Sequence, residues 1–197
     1  MISTSILENY HPTIKYYDKN ELILKENESA QYYYQIITGR VKMFNLTEDG
    51  KEFVQGFFTD KQSFGEPPLF GDYNYPASAI CEEPTEVYRL TKVHFLKLIL
   101  NEPETHLKFT EMLCKRMIYK AKIMQEVSIH PPEHRILTLL TYFKSNSGTN
   151  DNDSYEVLLT RKQISELTGL RVETVIRAIK KLEKQKALII KDRKVYI

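Results

Sequence analysis

The sequence has little of what a membrane protein, a disulfide scaffold or a metal-cluster protein needs. Its 197 residues include only 2 cysteines, 7 glycines and 8 prolines. Cys81 and Cys114 are too few for a metal or cluster framework, so we expect two reduced core thiols. No apolar run reaches membrane-spanning length, and residues 1–10 lack the pattern of a signal peptide. We therefore expect a cytoplasmic protein without membrane association.

Positive charge is concentrated at the C-terminal end of the chain. Residues 157–197 contain 11 lysines and arginines against 4 acidic residues, whereas residues 1–156 contain 17 against 22. A basic end on a slightly acidic body is typical of a DNA-binding protein, because neutralising phosphates supplies most non-specific affinity for DNA. Taken alone, the same charges could also belong to a solvated helix face.

The N-terminal half has the pattern of short antiparallel strands separated by turn signals. Tyr32–Ile37, Arg40–Leu46 and Glu52–Phe58 are predicted strands, with a hairpin turn at Glu48-Asp49-Gly50. Short strands at this spacing, from about Thr13 to Leu90, favour a double-sheet roll or barrel.

Helical patterns follow, first over Lys92–Leu100 and then without interruption from Glu104 to about Ser128. The long helix has two apolar faces, and the first of them, the central-helix stripe, recurs at four-three spacing. This stripe consists of Thr110, Cys114, Met117, Ala121 and Met124. The second face consists of Phe109, Met112, Leu113 and Ile123. One face could pack on the strand-rich part and the stripe on a second copy of the chain; a single buried helix in a monomer is the alternative.

The pattern after residue 129 predicts a hinge and then a small helical domain. His130-Pro131-Pro132 is the candidate hinge, and Glu133–Lys144 is an amphipathic helix. A polar loop is expected over Ser145–Ser154, and Ala187–Ile197 has the pattern of a hairpin with a basic tip at Asp192-Arg193-Lys194.

Between the loop and the hairpin, the sequence predicts two helices joined by a tight turn. Thr160 stands three residues before Gln163, which is the spacing of a capping box, and Gly169 can adopt the positive φ of a turn. Apolar residues recur at helical spacing, and charged residues take the opposite side. The apolar set is Ile164, Leu167, Val175, Ile179 and Leu182, and the charged set is Glu173, Arg177, Lys180, Lys181 and Lys184. This is a helix-turn-helix that presents its second helix to the DNA major groove.

The order of these parts resembles the Crp/Fnr regulators from about Ile14 to Ile197. The most specific matches are YYYQIITGRVKMF, then EDGKEF, FGE at residues 64–66, and TRKQISELTGLRVETVIRAIKKLE. The resemblance implies an α+β fold with an N-terminal antiparallel double-stranded β-roll, which is jelly-roll-like, over residues 1–100. It further implies a long central dimerisation helix over residues 101–129 and a C-terminal winged helix-turn-helix over residues 130–197.

The resemblance also implies which residues read DNA. The family pattern E-T-x-x-R is present as Glu173 to Arg177, and these two side chains share a helix face from which they can bind base edges. Residue Ile176 departs from the family at that position. Phosphate contacts are implied at a further set of residues: Thr160, Arg161, Thr174 and Lys180, to which Arg171 is added because it replaces the usual small capping residue. An ordinary surface ion pair between Glu173 and Arg177 is the alternative.

The effector region departs from the family. Gly65 and Glu66 match the residues that hold a ribose, but Ala77 stands where the family has the arginine that holds a cyclic phosphate, followed by Ser78. Lys120 lies where cAMP-responsive members contact adenine. The candidate pocket is therefore Gly65, Glu66, Ser78 and Lys120; the alternatives are that Glu66 is structural and Lys120 merely exposed. No cysteine cluster for iron–sulfur and no histidine grouping for haem is present, so no cofactor and no metal is expected.

These observations predict a transcription regulator that binds a roughly palindromic operator in double-stranded DNA as a homodimer. RNA polymerase is the implied partner, an unknown small-molecule effector remains open, and cAMP binding is not expected. The alternative is a sensor module whose β-roll binds a cyclic nucleotide or another acidic ligand. An enzyme is not expected, because the five histidines are scattered, and Pro131 and Pro132 should break the helical geometry between His130 and His134.

Overall fold

The computed structural model describes residues 1–47, 50, 52–148, 150 and 153–197, and the side chains of all of these except 127–129. The chain divides into two units, Met1–Cys114 and Lys115–Ile197. The predicted turn at Glu48-Asp49-Gly50 and the predicted loop at Ser145–Ser154 lie partly outside the described residues.

The described part of the first unit is built around two four-stranded antiparallel sheets. One sheet has the strand order β1-β8-β3-β6 and the other β2-β7-β4-β5. The strands are β1 Thr13–Tyr17, β2 Leu22–Leu24, β3 Tyr32–Thr38, β4 Val41–Leu46, β5 Glu52–Phe58, β6 Ser63–Phe64, β7 Ser78–Cys81 and β8 Thr85–Thr91. A short helix α1, Thr4–Glu8, precedes them, and a 3-10 turn occupies Pro67–Phe70. The predicted strands are confirmed, with β4 starting one residue late.

Two helices complete the first unit. Helix α2, Lys92–Asn101, begins where the hydroxyl of Thr91 accepts a hydrogen bond from the His94 N–H. Helix α3, Pro103–Ile129, follows and continues into the second unit. Phe109 on α3 is buried against Phe95 and Tyr33, with ring centroids 5.5 Å and 6.2 Å away. This aromatic contact anchors the start of α3 on the unit and confirms that the face with Phe109, Met112 and Leu113 packs there.

The second unit is a helical bundle with a terminal hairpin. Its elements after α3 are α4 Pro132–Ser145, α5 Arg161–Thr168, α6 Val172–Lys184, β9 Ile189–Lys191 and β10 Lys194–Tyr196. Helices α4, α5 and α6 contribute a shared core that includes Ile136, Leu140, Ile164 and Ile179. The segment before α5 joins the hairpin, because the Val157 N–H donates to the Val195 carbonyl at 2.8 Å.

The two cysteines differ in their surroundings. Cys81 is buried and Cys114 is exposed, and both thiols are free. The prediction of two core thiols is therefore wrong for Cys114, because the face of α3 that carries it points away from the aromatic core. Among the described residues, no helix is long and apolar enough to cross a membrane.

Candidate nucleic-acid interface and effector region

The first helix of the predicted helix-turn-helix begins at a reciprocal cap. The Thr160 hydroxyl accepts a hydrogen bond from the Gln163 N–H at 3.2 Å, and Gln163 Oε1 accepts one from the Thr160 N–H at 2.9 Å. The predicted capping box is confirmed. It satisfies two backbone donors that the start of α5 would otherwise leave unpaired.

The turn between α5 and α6 depends on Gly169, which has a φ of +67° and ends α5. A residue with a side chain is strained in this left-handed conformation, so glycine is favoured here. Arg171 then precedes the first residue of α6 in extended conformation, and its side chain forms no cap hydrogen bond. Arg171 is therefore exposed at the start of the helix.

Helix α6 has one buried side and one exposed, charged side. Val175, Ile179 and Leu182 are buried as predicted. The exposed side carries Glu173, Ile176, Arg177, Lys180, Lys181 and Lys184. Within the described part of the chain, no ion pair joins Glu173 to Arg177. The alternative that these residues form a surface ion pair therefore receives no support from this structure.

A groove of ≈ 580 Å³ brings several predicted site residues together in the second unit. Its lining includes Thr160, Arg161, Ile176 and Lys180 from the predicted set, and Arg193 and Lys194 from the hairpin. Burial lowers the pKa of Arg161, so this guanidinium is partly stripped of water. A partly desolvated cation beside a basic groove favours an anionic ligand such as a phosphate.

The hairpin supplies cations that the predicted site did not include. Asp192 and Arg193 form its tip with φ of 51° and 65°, and β10 starts at Lys194. Lys194 Nζ lies 2.6 Å from Glu156 Oε1, and this hydrogen bond lowers the pKa of Glu156 and raises that of Lys194. The basic tip was visible in the sequence, but its position beside Thr160 and Lys180 follows from the pairing of the hairpin with residues 155–157.

The effector-region residues of the first unit are packed among side chains. Gly65 has a φ of +72°, and a Cβ at this position would lie 2.9 Å from Leu24 Cδ2 and 3.5 Å from Tyr75 Cε1. Glu66 is 1% exposed, and Ala77 is equally buried. The Ser78 hydroxyl accepts a hydrogen bond from the Glu26 N–H at 3.0 Å. Lys120 lies in the second unit, where its side chain is exposed.

All five residues of the central-helix stripe are exposed in the single chain. Met117 and Met124 are both 70% exposed, which is unusual for large apolar side chains. Leu107 extends the same four-three spacing by one position and is 72% exposed. Within a single chain this face of the helix is therefore not buried, and its packing against a second copy stays a prediction.

The two histidines near the break between α3 and α4 have side chains that meet in space. Helix α3 ends at Ile129 and α4 begins at Pro132, as the prolines predict, yet the rings of His130 and His134 stack with centroids 4.3 Å apart. The His130 N–H still donates to the Glu126 carbonyl, and the His134 N–H donates to the Pro131 carbonyl. The prolines therefore break the helix as expected, but the two imidazole rings meet across the break.

Comparisons with known proteins agree with both parts of the chain. Residues 14–102 match the family model of the cyclic nucleotide-binding domain, and residues 134–197 match that of the Crp-like helix-turn-helix domain. A curated relative, the cAMP-activated global transcriptional regulator CRP of Pasteurella multocida, is 27% identical over 177 residues, which cover 89% of this chain and 85% of the relative.

Solved structures are similar over nearly the whole chain. A mutant of CooA from Carboxydothermus hydrogenoformans has a TM-score of 0.80 at 15% identity. The match covers 100% of this chain and 87% of the CooA chain. The c-di-GMP responsive global regulator CLP of Xanthomonas campestris has a TM-score of 0.75 at 18% identity, with 98% of each chain covered. At these identities the likeness establishes the fold alone.

A β-roll of the cyclic nucleotide-binding type followed by a helix-turn-helix defines a class of DNA-binding transcription regulators. The two family models cover most of the chain in the order typical of that class, and the full-length relative agrees. The chain belongs to the Crp/Fnr family. The predicted α+β fold is confirmed. The prediction that this protein is not an enzyme is also confirmed, because its relatives are transcription regulators.

Proposed function

We propose that this protein regulates transcription as a homodimer that binds a roughly palindromic operator. The main support for this proposal is the exposed face of α6. It presents Glu173, Ile176 and Arg177 next to the basic groove described above. Arginine binds guanine O6 and N7 with two hydrogen bonds, glutamate accepts from cytosine N4, and an apolar side chain contacts the thymine methyl group. These three side chains therefore read bases.

A second set of side chains binds the DNA backbone and orients α6. These are Thr160, Arg161, Arg171, Thr174 and Lys180, to which we add Arg193 and Lys194 of the hairpin. Phosphate contacts fix the register of a protein on DNA without selecting its sequence. The start of α6 adds backbone N–H groups, which favour a phosphate.

The dimer forms through the central-helix stripe. Met117 and Met124 are exposed at the spacing that lets two helices pack with their apolar faces together. A two-fold dimer places two recognition helices about 34 Å apart, which is one turn of DNA. We further propose that the protein acts in the cytoplasm with RNA polymerase as its partner, and that residues 1–100, 101–129 and 130–197 are its sensor, dimerisation and DNA-binding parts.

The effector region does not bind cAMP in this proposal. Ala77 offers no charge to a cyclic phosphate and is buried, while the Ser78 hydroxyl already holds a backbone N–H. Tyr75 packs beside Gly65. Gly65, Glu66, Ser78 and Lys120 remain the candidate residues for a different effector.

Selection of DNA from a random pool with the purified full-length protein tests the main proposal. The enriched sites should contain two inverted half-sites whose centres are about 10 base pairs apart, and footprinting should protect both. Enrichment of a single half-site without symmetry would contradict the dimer. Binding without any sequence enrichment would contradict sequence-specific regulation.

A further inference from the structure

Three potential metal ligands meet where α3 passes into α4 in the second unit. They are Glu126 in the last turn of α3, His130 between the helices and His134 in the first turn of α4. One ligand atom from each lies within 4.8 Å of the other two. His134 Nδ1 is in direct contact with Glu126 Oε2, and the two imidazole rings stack. We propose that these three side chains bind one divalent transition-metal ion, with Zn²⁺ as the representative of its class.

The donor set fits an ion that prefers imidazole nitrogen and accepts carboxylate oxygen. Zn²⁺ binds histidine nitrogen at about 2.0–2.1 Å and carboxylate oxygen at about 2.0–2.2 Å, and two histidines with one glutamate form a recurrent zinc site. Such bond lengths put neighbouring ligand atoms of a tetrahedron about 3.4 Å apart. All three ligand atoms already lie within 4.8 Å of one another, so the most distant pair has to approach by about 1.4 Å at most, while the contacting atoms of Glu126 and His134 have to separate slightly.

The three proposed ligands differ in burial, from buried Glu126 to exposed His134. Glu126 is 7% exposed, so its carboxylate is held in place and needs a nearby positive charge. His134 is the exposed partner, with 51% of its side chain accessible to solvent. His130 brings a second imidazole to the same point, where its ring stacks on that of His134.

An ion can reach the cluster from solvent. Glu126 and His134 line a groove of ≈ 680 Å³ between α3 and α4, together with Tyr119 and Tyr142. The rings of these two tyrosines stack with centroids 3.6 Å apart and so join α3 to α4. Three protein ligands leave a fourth position for water or a small anion. A bound ion therefore links the last turn of α3 to the first turn of α4.

Metal titration of the full-length protein tests the proposal. Chelator-treated protein is titrated with Zn²⁺ in competition with a chromogenic chelator, and Co²⁺ is added separately to record visible absorption. We expect one Zn²⁺ per chain and the absorption bands of a four-coordinate Co²⁺ site. His130→Ala, His134→Ala and Glu126→Gln should each weaken Zn²⁺ binding at least about tenfold, because even losing a residue that only supports a ligand costs 10–100-fold.

His106→Ala is the matched control, since His106 is an exposed histidine of α3 outside the cluster. It should bind Zn²⁺ as the unchanged protein does. Circular dichroism of each variant checks its folding. If an alanine variant unfolds, Glu126→Gln still tests the site, because it keeps the size of the buried side chain. Failure of the unchanged protein to bind one Zn²⁺ per chain overturns the proposal. The proposal is also overturned if the folded Glu126→Gln and His130→Ala variants bind Zn²⁺ as tightly as the unchanged protein.

Discussion

Lys181 Nζ on α6 lies 2.8 Å from Glu133 Oε1 in the first turn of α4. The two residues are 48 positions apart in the sequence, and their contact joins α6 to α4. The Arg135 side chain adds a second connection, because its Nη1 donates to the carbonyl of Thr168 at the end of α5 at 3.2 Å. The orientation of the exposed face of α6 therefore depends on contacts with α4.

The ion pair between Glu133 and Lys181 should make stability depend on pH. The hydrogen bond from Lys181 lowers the pKa of Glu133 from its ordinary 4.5. A carboxyl whose pKa is lower when folded stabilises the protein above the unfolded pKa, and this stabilisation is lost as the pH falls through the folded pKa. Glu133→Gln should reduce the free energy of unfolding at pH 7 by about 0.2–1 kcal/mol and by less near pH 3.5.

Chemical denaturation at both pH values measures this difference. Glu183→Gln, which removes an exposed carboxylate of α6 elsewhere on the surface, is the control and should change stability little at either pH. A loss for Glu133→Gln that is the same at both pH values would count against the ion pair as its cause.

Arg177→Ala should relax the choice of operator. If Arg177 binds a guanine edge, its loss costs about 1–3 kcal/mol of discrimination and leaves binding to random DNA largely intact. Competition binding with operator and random duplexes measures both quantities. Lys184→Ala, at the exposed last turn of α6, is the control and should not alter the ratio of the two affinities. Equal losses on both duplexes for Arg177→Ala would mean that Arg177 contacts only phosphate.

Met117→Asp should abolish operator binding by preventing the dimer. A carboxylate in the middle of the central-helix stripe would be buried without a partner at a helix-helix interface. Light scattering after size-exclusion chromatography gives the mass, and a gel-shift assay gives DNA binding. Lys108→Asp, an exposed position of α3 outside the stripe, should stay dimeric. Full operator binding by Met117→Asp would disprove the proposed interface.

Thr160→Ala should lower both stability and DNA affinity. The Thr160 hydroxyl accepts the hydrogen bond that opens α5, and removing such a cap typically costs about 1 kcal/mol. Thr160→Ser keeps the hydroxyl and should behave nearly as the unchanged protein in thermal unfolding. An alanine variant that unfolds at the same temperature as the serine variant would show that the cap contributes nothing measurable.

Isothermal calorimetry with cAMP and cGMP should give no heat of binding. Ala77 is buried and carries no charge that could neutralise a cyclic phosphate. The cAMP-activated regulator of Pasteurella multocida provides a positive control in the same buffer. Saturable heat with either nucleotide would favour the sensor-module alternative over a degenerate pocket.

Much of the helix-turn-helix could be predicted because its signals are local. The Thr160 cap and the φ of Gly169 each involve residues within a few positions of one another, and the burial of Val175 and Ile179 follows from one helix period. The strand order β1-β8-β3-β6 could not be predicted in this way. Pairs such as Thr13 with Arg89 join distant parts of the chain. The alternation of apolar and polar residues along one strand does not indicate which strand pairs with it.

The long helix α3 shows what sequence periodicity can predict and what only tertiary packing decides. Its periodicity predicted two apolar faces, and the aromatic packing of Phe109 decided which face is buried and which leaves Met117 and Met124 exposed. The exposure of Cys114 follows from the same packing. Sequence pattern defines the faces of a helix, whereas the partner surface selects between them.

The amino-acid sequence by itself determined the helix-turn-helix, its charged edge and the family, because capping, turn conformation and helical period act over short distances. Only the tertiary structure decided that Glu126, His130 and His134 meet. The rule that proline ends a helix is correct for the backbone of residues 130–132. It does not predict the direction of the side chains, because His134 contacts Glu126 and stacks on His130 across the break between α3 and α4.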